Sequence, residues 1–151
     1  MADPLLEEIN KLVRAENTRD RFLLEVARAI NRFYPRYNWV GFYFLEEDGK
    51  LHVGPYIGKP TPHTVIELDR GICGAAVTQG KMVVVDDVNA DQRYLACSLE
   101  TKSEIVIPIR CGQEIIGELD IDSSQPAAFS NEDSRRLNLV VNIVEERLCR
   151  E

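Results

Sequence analysis

The sequence predicts an α+β fold, in which helices at both ends of the chain pack against a mostly antiparallel sheet formed by its middle. Apolar residues recur at helical spacing in residues 4–33 and again after residue 130, whereas several segments between residues 38 and 121 alternate with a period of two. The chain has 151 residues, enough for one domain with one main core. We therefore expect a single domain over residues 1–151.

The segment before Pro35 is predicted to form two helices. Residues 4–16 carry the apolar stripe of the first, and Asn17-Thr18 can cap the second, which must end before the proline. The apolar positions of the two helices are Leu5, Ile9, Leu12, Val13, Phe22, Val26, Ile30 and Phe33.

The sheet begins with a predicted hairpin. Two sets of side chains alternate along the strand that starts at Asn38, and Asp48-Gly49 turns the chain into a second strand at residues 51–53. Since Gly41 separates Trp39 and Tyr43 on one face, we expect space for a ligand across that glycine. Val40, Phe42 and Phe44 occupy the other face.

The second half of the chain alternates between short helical and strand patterns. A loop rich in turn-forming residues is followed by a predicted helix at 71–79, a strand at 82–85, a polar connection at 86–102, and strands at 104–109 and 114–121. Ser130-Asn131-Glu132-Asp133 resembles a capping box and begins the last helix. The apolar stripe of that helix comprises Leu137, Val140, Val141, Val144 and Leu148.

Acidic residues fall where sheet is predicted. Asp120 and Asp122 share one face of the last strand with Glu118, and Glu104 begins the neighbouring strand. Aspartate is depleted in strands, and unpaired buried charge is costly, although a solvated edge or Asx turns at strand ends would also place acids here. Three converging acids, Glu104, Asp120 and Asp122, would suit an ammonium group and would raise one another's pKa without one.

Two of the four cysteines are candidates for chemistry. Cys73 lies in the first turn of the predicted short helix, where peptide dipoles favour a thiolate, although it could equally be a small residue that packs the helix on the sheet. Cys97 lies in the polar connection, where packing explains it less well. Cys111, in a predicted turn, and Cys149, near the C-terminus, are interpreted as incidental thiols.

Composition excludes several classes of partner. Twenty-five acidic residues outnumber 18 basic ones, so no basic stripe is available for nucleic acid. The N-terminus lacks the pattern of an export signal, and no apolar run approaches the roughly 18 residues of a membrane span. We expect a cytoplasmic protein whose cysteines are reduced, redox-active or buried. His52 and His63 lack metal-ligand spacing to the cysteines, so no metal site is predicted.

A set of motifs, in this order and spacing, identifies a family resemblance that covers nearly the whole chain. They are Asn38-Trp39-Val40-Gly41-Phe42-Tyr43, Gly54-Pro55-Tyr56, Gly71-Ile72-Cys73-Gly74, Ala96-Cys97, Ser103-Glu104-Ile105-Val106-Ile107-Pro108 and Gly117-Glu118-Leu119-Asp120-Ile121-Asp122-Ser123. The chain resembles the free methionine-(R)-sulfoxide reductases, which are stand-alone GAF-domain enzymes. The resemblance implies a six-stranded antiparallel GAF sheet with the N- and C-terminal helices on one face and short helices and loops over the pocket on the other. It also implies a homodimer and a pocket closed over one free methionine sulfoxide.

The resemblance also implies roles for individual residues. Cys97 matches the catalytic nucleophile, whose thiolate attacks the sulfoxide sulfur and becomes a sulfenic acid that condenses with a second thiol. Glu104, Asp120 and Asp122 match the acids that hold the substrate's ammonium group. One of these acids would also carry a proton to the departing sulfoxide oxygen, and we assign this role to Glu104.

Further matches concern the aromatics and the recycling of the enzyme. Trp39 and Tyr43 match the aromatics that enclose the methyl-sulfur end of the substrate. No cofactor is implied, and thioredoxin or a similar dithiol would reduce the disulfide. A further family cysteine often follows the Gly58-Lys59 position, but here the stretch contains none, so recycling falls to Cys73.

Two other functions fit parts of the sequence. GAF domains also serve as non-catalytic sensors of small molecules, although this chain shows no attached output domain. A thiol-based redox sensor that uses Cys73 and Cys97 without a substrate would leave the acids and Trp39 unexplained.

Overall fold

The elements of the fold follow the predicted order along the chain. A computed structural model describes residues 3–91, 93 and 100–150. The helices are α1 (Pro4–Arg14), α2 (Arg19–Phe33), α3 (Gly71–Gln79) and α4 (Asn131–Leu148), with a short 3-10 turn at Val88–Ala90. The strands are β1 (Tyr37–Leu45), β2 (Leu51–Ile57), β3 (Val65–Ile66), β4 (Val83–Val85), β5 (Ser103–Cys111) and β6 (Glu114–Ser123).

The six strands form one antiparallel sheet in the order β3-β2-β1-β6-β5-β4. β6 lies between β1 and β5, and its register places Asp122 opposite both Trp39 of β1 and Glu104 of β5. Asp120 is likewise opposite Gly41 and Val106. Since side chains at directly opposed positions share a face, the acids of two strands meet on one side of the sheet.

The two faces of the sheet bury separate apolar clusters. Helices α2 and α4 pack on one face and α1 packs against both of them, and side chains such as Phe22, Phe42 and Val140 form the large core on this side. The other face carries α3, and its smaller cluster includes Trp39, Tyr43 and Cys73. The predicted α+β architecture, a six-stranded antiparallel sheet with the terminal helices on one side, is confirmed.

Polar side chains cap the N-termini of helices α1 and α4. Asp3 caps α1 by accepting hydrogen bonds from the backbone N–H groups of Leu5 and Leu6. At the start of α4, Ser130 and Asp133 form the predicted capping box. Asp133 also accepts hydrogen bonds from the Tyr37 hydroxyl at 2.8 Å and from the Arg36 guanidinium at 2.6 Å, which ties α4 to β1.

Strand β3 was not predicted. It has two residues, Val65 and Ile66, which pair with His52 and Leu51 at the sheet edge. A segment this short shows no periodicity, so it owes its strand conformation to the exposed edge of β2.

The interpretation of Cys111 and Cys149 as incidental thiols is wrong. Their sulfurs form a disulfide between the end of β5 and the end of α4, with 5.6 Å between the Cα atoms. The two residues are 38 positions apart, and they meet because α4 packs against β5.

Among the described residues, none of the helices is long and apolar enough to span a membrane.

Candidate active site

Three acids predicted to act together do meet on the β-sheet face that carries α3. Glu104, Asp120 and Asp122 are each no more than 5% exposed. The Glu104 side chain is hydrogen-bonded to both Asp120 and Asp122. Carboxyl groups hydrogen-bond one another only when a proton lies between them, so the ligand-free cluster holds at least one proton.

Burial controls the protonation of this cluster. Loss of hydration raises the pKa of Asp122 well above its usual range, and the charge of Asp120 adds to that shift. The pKa of Asp120 is also raised by burial, although hydrogen bonds with Glu104 and Cys73 oppose the rise. One carboxylate oxygen of each aspartate has no hydrogen-bond partner among the described residues. The cluster is therefore built to receive a group that donates hydrogen bonds and carries positive charge.

Helix α3 brings the Cys73 thiol onto the same acids. Its Sγ donates a hydrogen bond to Asp120 Oδ2 at 3.4 Å. Burial raises the pKa of the thiol well above its usual value, and the charges of Asp120, Glu118 and Glu104 raise it further. The predicted low-pKa thiolate is therefore wrong, because the side chain points from the helix start into buried acids, whose effect exceeds that of the helix dipole.

A carboxyl that the sequence analysis did not count as a site residue lies in the same group. Glu118 of β6 is fully buried, and burial raises its pKa well above the usual carboxyl value. Neither of its oxygens has hydrogen-bond geometry with a described residue, although the Cys73 thiol is near enough to interact with it. Its shared face with Asp120 and Asp122 was the available signal.

An aromatic wall stands next to the acids. Trp39 stacks on Tyr56, with 5.0 Å between ring centroids, and lies at 6.1 Å from the Tyr43 ring. The Trp39 indole N–H donates to the Lys59 carbonyl oxygen, and the Tyr43 hydroxyl donates to that of His63. These bonds hold the two predicted aromatics in place, and of the two only Trp39 retains some exposure, 8% against 1% for Tyr43.

The expected space across Gly41 is not available to a ligand. A Cβ at this position would lie 2.5 Å from the Trp39 ring and 2.5 Å from the Tyr56 Cβ. The missing side chain therefore lets the Trp39 indole fold over the strand. Gly58, at φ +133°, has a similar role, because a Cβ there would lie 2.7 Å from the same ring.

A cavity of about 350 Å³ opens above the Asp122 end of the cluster. Trp39, Asp122, Thr101 and Ser124 contribute to its lining. At its rim Lys59 Nζ lies 3.0 Å from Glu100 Oε1, which links the loop after β2 to the segment before β5. The volume falls within the roughly 300–1,000 Å³ of small-molecule sites. A larger concavity, about 490 Å³, lies between β5 and α4 and contains none of these acids.

The structure thus brings together six of the predicted site residues, namely Trp39, Tyr43, Cys73, Glu104, Asp120 and Asp122. Cys97, the predicted nucleophile, lies outside the described residues. One ligand atom each from Cys73, Glu104 and Asp120 lies within 4.8 Å of the other two, a set compact enough to surround one cation. Metals bind cysteine as the thiolate, and the raised pKa of Cys73 disfavours that form, so the set suits an ammonium group better.

The chain is similar to known proteins over almost its whole length. The GAF domain family model matches residues 3–148. A curated relative, the free methionine-R-sulfoxide reductase of Escherichia coli, is 36% identical over 148 residues, which covers 96% of this chain and 87% of that protein.

The chain is also similar to solved structures of free methionine-R-sulfoxide reductases. The free methionine-R-sulfoxide reductase of Neisseria meningitidis, solved in complex with its substrate, aligns with a TM-score of 0.89 and 32% identity, covering 97% of this chain and 91% of that one. The type II free methionine-R-sulfoxide reductase of Thermoplasma acidophilum aligns with a TM-score of 0.81 and 38% identity, covering 86% of this chain and 94% of that one.

Proposed function

The chain belongs to the GAF-domain family and, within it, to the free methionine-R-sulfoxide reductases, and from this premise we propose that it reduces free L-methionine-(R)-sulfoxide to methionine. One observation of the site supports the proposal most strongly. Glu104, Asp120 and Asp122 form a buried acidic floor beside the aromatic Trp39. A free amino acid with an ammonium group at one end and a methyl sulfoxide at the other is complementary to such a site.

The acid cluster explains why the substrate would be a free amino acid. An ammonium group can donate three hydrogen bonds and carries a full charge, which the carboxyls with unpartnered oxygens can accept. The nitrogen of a peptide-bound methionine sulfoxide is an uncharged amide with a residue attached. On Asp120 and Asp122 that amide would supply one hydrogen-bond donor and no charge, so it would leave oxygens of the cluster without a partner.

We assign the first chemical step to Cys97. Its thiolate attacks the sulfoxide sulfur, methionine leaves, and the sulfoxide oxygen stays on Cys97 as a sulfenic acid. Glu104 supplies a proton to the oxygen as the sulfur–oxygen bond of the substrate breaks. The proton that the Cys97 thiol loses when it forms the thiolate restores Glu104, so this half-reaction needs no other reactant.

We assign recycling to Cys73. Its sulfur attacks the Cys97 sulfenic acid, a disulfide forms, and the hydroxyl group leaves as water with the proton of the Cys73 thiol. Thioredoxin, or another dithiol, then reduces the disulfide and is itself oxidised. A homodimer, which the sequence resemblance implies, and a cytoplasmic location complete the proposal.

The test is a stereospecific assay. Free L-methionine-(R)-sulfoxide, its (S) epimer and N-acetyl-methionine-(R)-sulfoxide are each incubated with wild type and with Cys97→Ser, in the presence of a dithiol. We expect methionine from the free (R) epimer alone, and only with wild type. Ligand binding without any turnover by folded wild type would instead identify a GAF sensor, and reduction of the N-acetyl compound would contradict the role of the acids.

A further inference from the structure

Glu118 is a buried carboxyl that the proposed reaction does not yet use. It lies on β6 between Tyr43 of β1 and Pro108 of β5, and it is 0% exposed. Neither oxygen has hydrogen-bond geometry with a described residue. A carboxyl in such a place is costly to ionise, so it is retained as a neutral acid.

The group beside Glu118 is the Cys73 thiol. Cys73 lies between two carboxyls of β6, since its Sγ donates to Asp120 Oδ2 at 3.4 Å and also interacts with Glu118. Among the described residues, Glu104 of β5 is the further charge that acts on Cys73, and Tyr43 of β1, which lies opposite Glu118, donates its hydroxyl to the His63 carbonyl. All of these are acids or neutral donors, so no described cation among them stabilises a thiolate.

This environment creates a difficulty for recycling. When a disulfide is reduced, one sulfur must leave with the bonding electron pair, and a thiol of high pKa leaves slowly. Burial and the surrounding acids raise the pKa of Cys73 well above its usual value. Cys73 can therefore leave readily only if a proton reaches its sulfur as the bond breaks.

We propose that Glu118 is the acid that delivers this proton, which makes it a catalytic residue of the recycling half-reaction. The dithiol attacks Cys97 Sγ, the bond between Cys97 and Cys73 breaks, and the electron pair goes to Cys73 Sγ, which takes the proton from the Glu118 carboxyl. The second thiol of the dithiol then releases Cys97, and the protons lost by the dithiol restore Cys97 and Glu118. The proposal rests on the proposed function, because it requires Cys73 to be the recycling thiol.

Glu118 fits this role better than Asp120. Asp120 accepts the hydrogen bond from Cys73 and belongs to the set that receives the ammonium group, so it is ionised while the ligand is bound. Glu118 is not among the residues that line the cavity above Asp122. It can therefore keep its proton while the ammonium group is bound and still hold it when the disulfide is reduced.

The test separates the two half-reactions. Wild type and Glu118→Gln are oxidised with free methionine-(R)-sulfoxide in the absence of reductant, and the methionine formed is counted. Dithiothreitol is then added at a series of pH values, thiols are trapped at intervals, and Cys73 and Cys97 are followed by peptide mass spectrometry. Glu114→Gln, an exposed carboxyl at the start of the same strand, is the matched control.

We expect Glu118→Gln to slow reduction of the Cys73–Cys97 disulfide by about 100-fold, in the range of general acid catalysis, and to slow it more than the first turnover. For wild type, the rate per attacking thiolate should fall as pH rises through the pKa of Glu118, and this fall should be absent in the variant. Glu114→Gln should match wild type. Equal rates and pH profiles for Glu118→Gln and wild type would overturn the proposal.

Other outcomes are also decisive. If methionine forms but no Cys73–Cys97 disulfide is found, the role of Glu118 is overturned while the proposed function stands. If wild type forms no methionine, the proposed function itself fails. If Glu118→Gln does not fold, the pH profile of wild type still tests the proposal. A rate of disulfide reduction per attacking thiolate that does not change with pH would exclude a protonated carboxyl as the proton donor.

Discussion

The Cys73 thiol donates a 3.4 Å hydrogen bond to Asp120 Oδ2, which joins the first turn of α3 to the middle of β6. The contact connects two parts of the proposed cycle, because Asp120 belongs to the ammonium site and Cys73 is the assigned recycling thiol. An ammonium group on Asp120 would favour its ionised form, which is also the better acceptor for the thiol proton. Substrate binding and the state of Cys73 are therefore expected to influence each other.

Replacing Asp122 by Asn should weaken substrate binding. The change removes the charge but keeps the shape, and a hydrogen bond to a charged group contributes about 1.5–3 kcal/mol. We expect KM for free methionine-(R)-sulfoxide to rise about 10- to 100-fold in steady-state kinetics. Glu114→Gln, exposed on the same strand, is the control and should leave KM unchanged. An unchanged KM in Asp122→Asn would remove this residue from the ammonium site.

Ligand binding should release protons. The pKa of Asp120 and Asp122 is raised in the ligand-free protein, so these groups must ionise when an ammonium group arrives. Affinity for methionine should therefore increase from pH 5 to pH 7, by up to about tenfold per pH unit for each proton released. Trp39 is the chain's sole tryptophan and reports binding by fluorescence, and calorimetry in buffers of different ionisation enthalpy counts the protons. Affinity that is independent of pH would contradict a protonated cluster.

The free energy of unfolding should fall as pH rises above about 5. For Glu118 and Asp122 the folded-state pKa is raised, so the folded protein binds more protons than the unfolded chain and loses stability with increasing pH. The slope is about −1.4 kcal/mol per pH unit for each such group. Acids with a lowered pKa, such as Asp3 and Asp133, act with the opposite sign, and only near or below about pH 4.

Urea unfolding at pH 5, 6, 7 and 8 measures this slope. Asp122→Asn should unfold with a shallower pH dependence and be more stable than wild type at pH 8, because no charge has to be buried. A stability that rises between pH 5 and pH 8 in wild type would contradict the raised pKa values.

Cys73→Ser and Cys97→Ser should fail at different steps. Cys97→Ser should form no methionine, since it lacks the nucleophile. Cys73→Ser should form about one equivalent per protein and then stop with thioredoxin as reductant, because the sulfenic acid has no partner thiol. Quenched assays with and without thioredoxin separate the two variants. Full thioredoxin-dependent turnover by Cys73→Ser would show that another thiol recycles the enzyme.

Cys149→Ser should lower stability without affecting catalysis. The disulfide with Cys111 closes a loop of 38 residues, for which chain entropy predicts roughly 3–4 kcal/mol. Cys111 is at the opposite end of β5 from Glu104, which at the rise of an extended strand is about 23 Å away. Denaturant unfolding should show this loss of unfolding free energy in Cys149→Ser. Treatment of wild type with dithiothreitol should lower its unfolding free energy to the same value. A large fall in kcat for Cys149→Ser would place this end of the sheet in the reaction.

Much of the fold was predictable because hydrophobic periodicity is a local property of the chain. The helical spacing of Phe22, Val26 and Ile30, the alternation from Trp39 to Phe44 and the capping box at Ser130 all mark elements that the structure contains. β3 could not be found this way, since Val65 and Ile66 form a strand only because the edge of β2 is beside them.

The sequence by itself determined the family, the order of the elements and the meeting of Glu104, Asp120 and Asp122, because strand periodicity places these acids on one face and the motifs that carry them are local. The tertiary structure decided what surrounds them. Helix α3 directs the Cys73 side chain toward buried acids, and these surroundings raise the pKa of its thiol. The pairing of Cys111 with Cys149 and the burial of Glu118 likewise depend on how distant elements pack. Burial and through-space charge are properties of packing, which no local pattern of residues specifies.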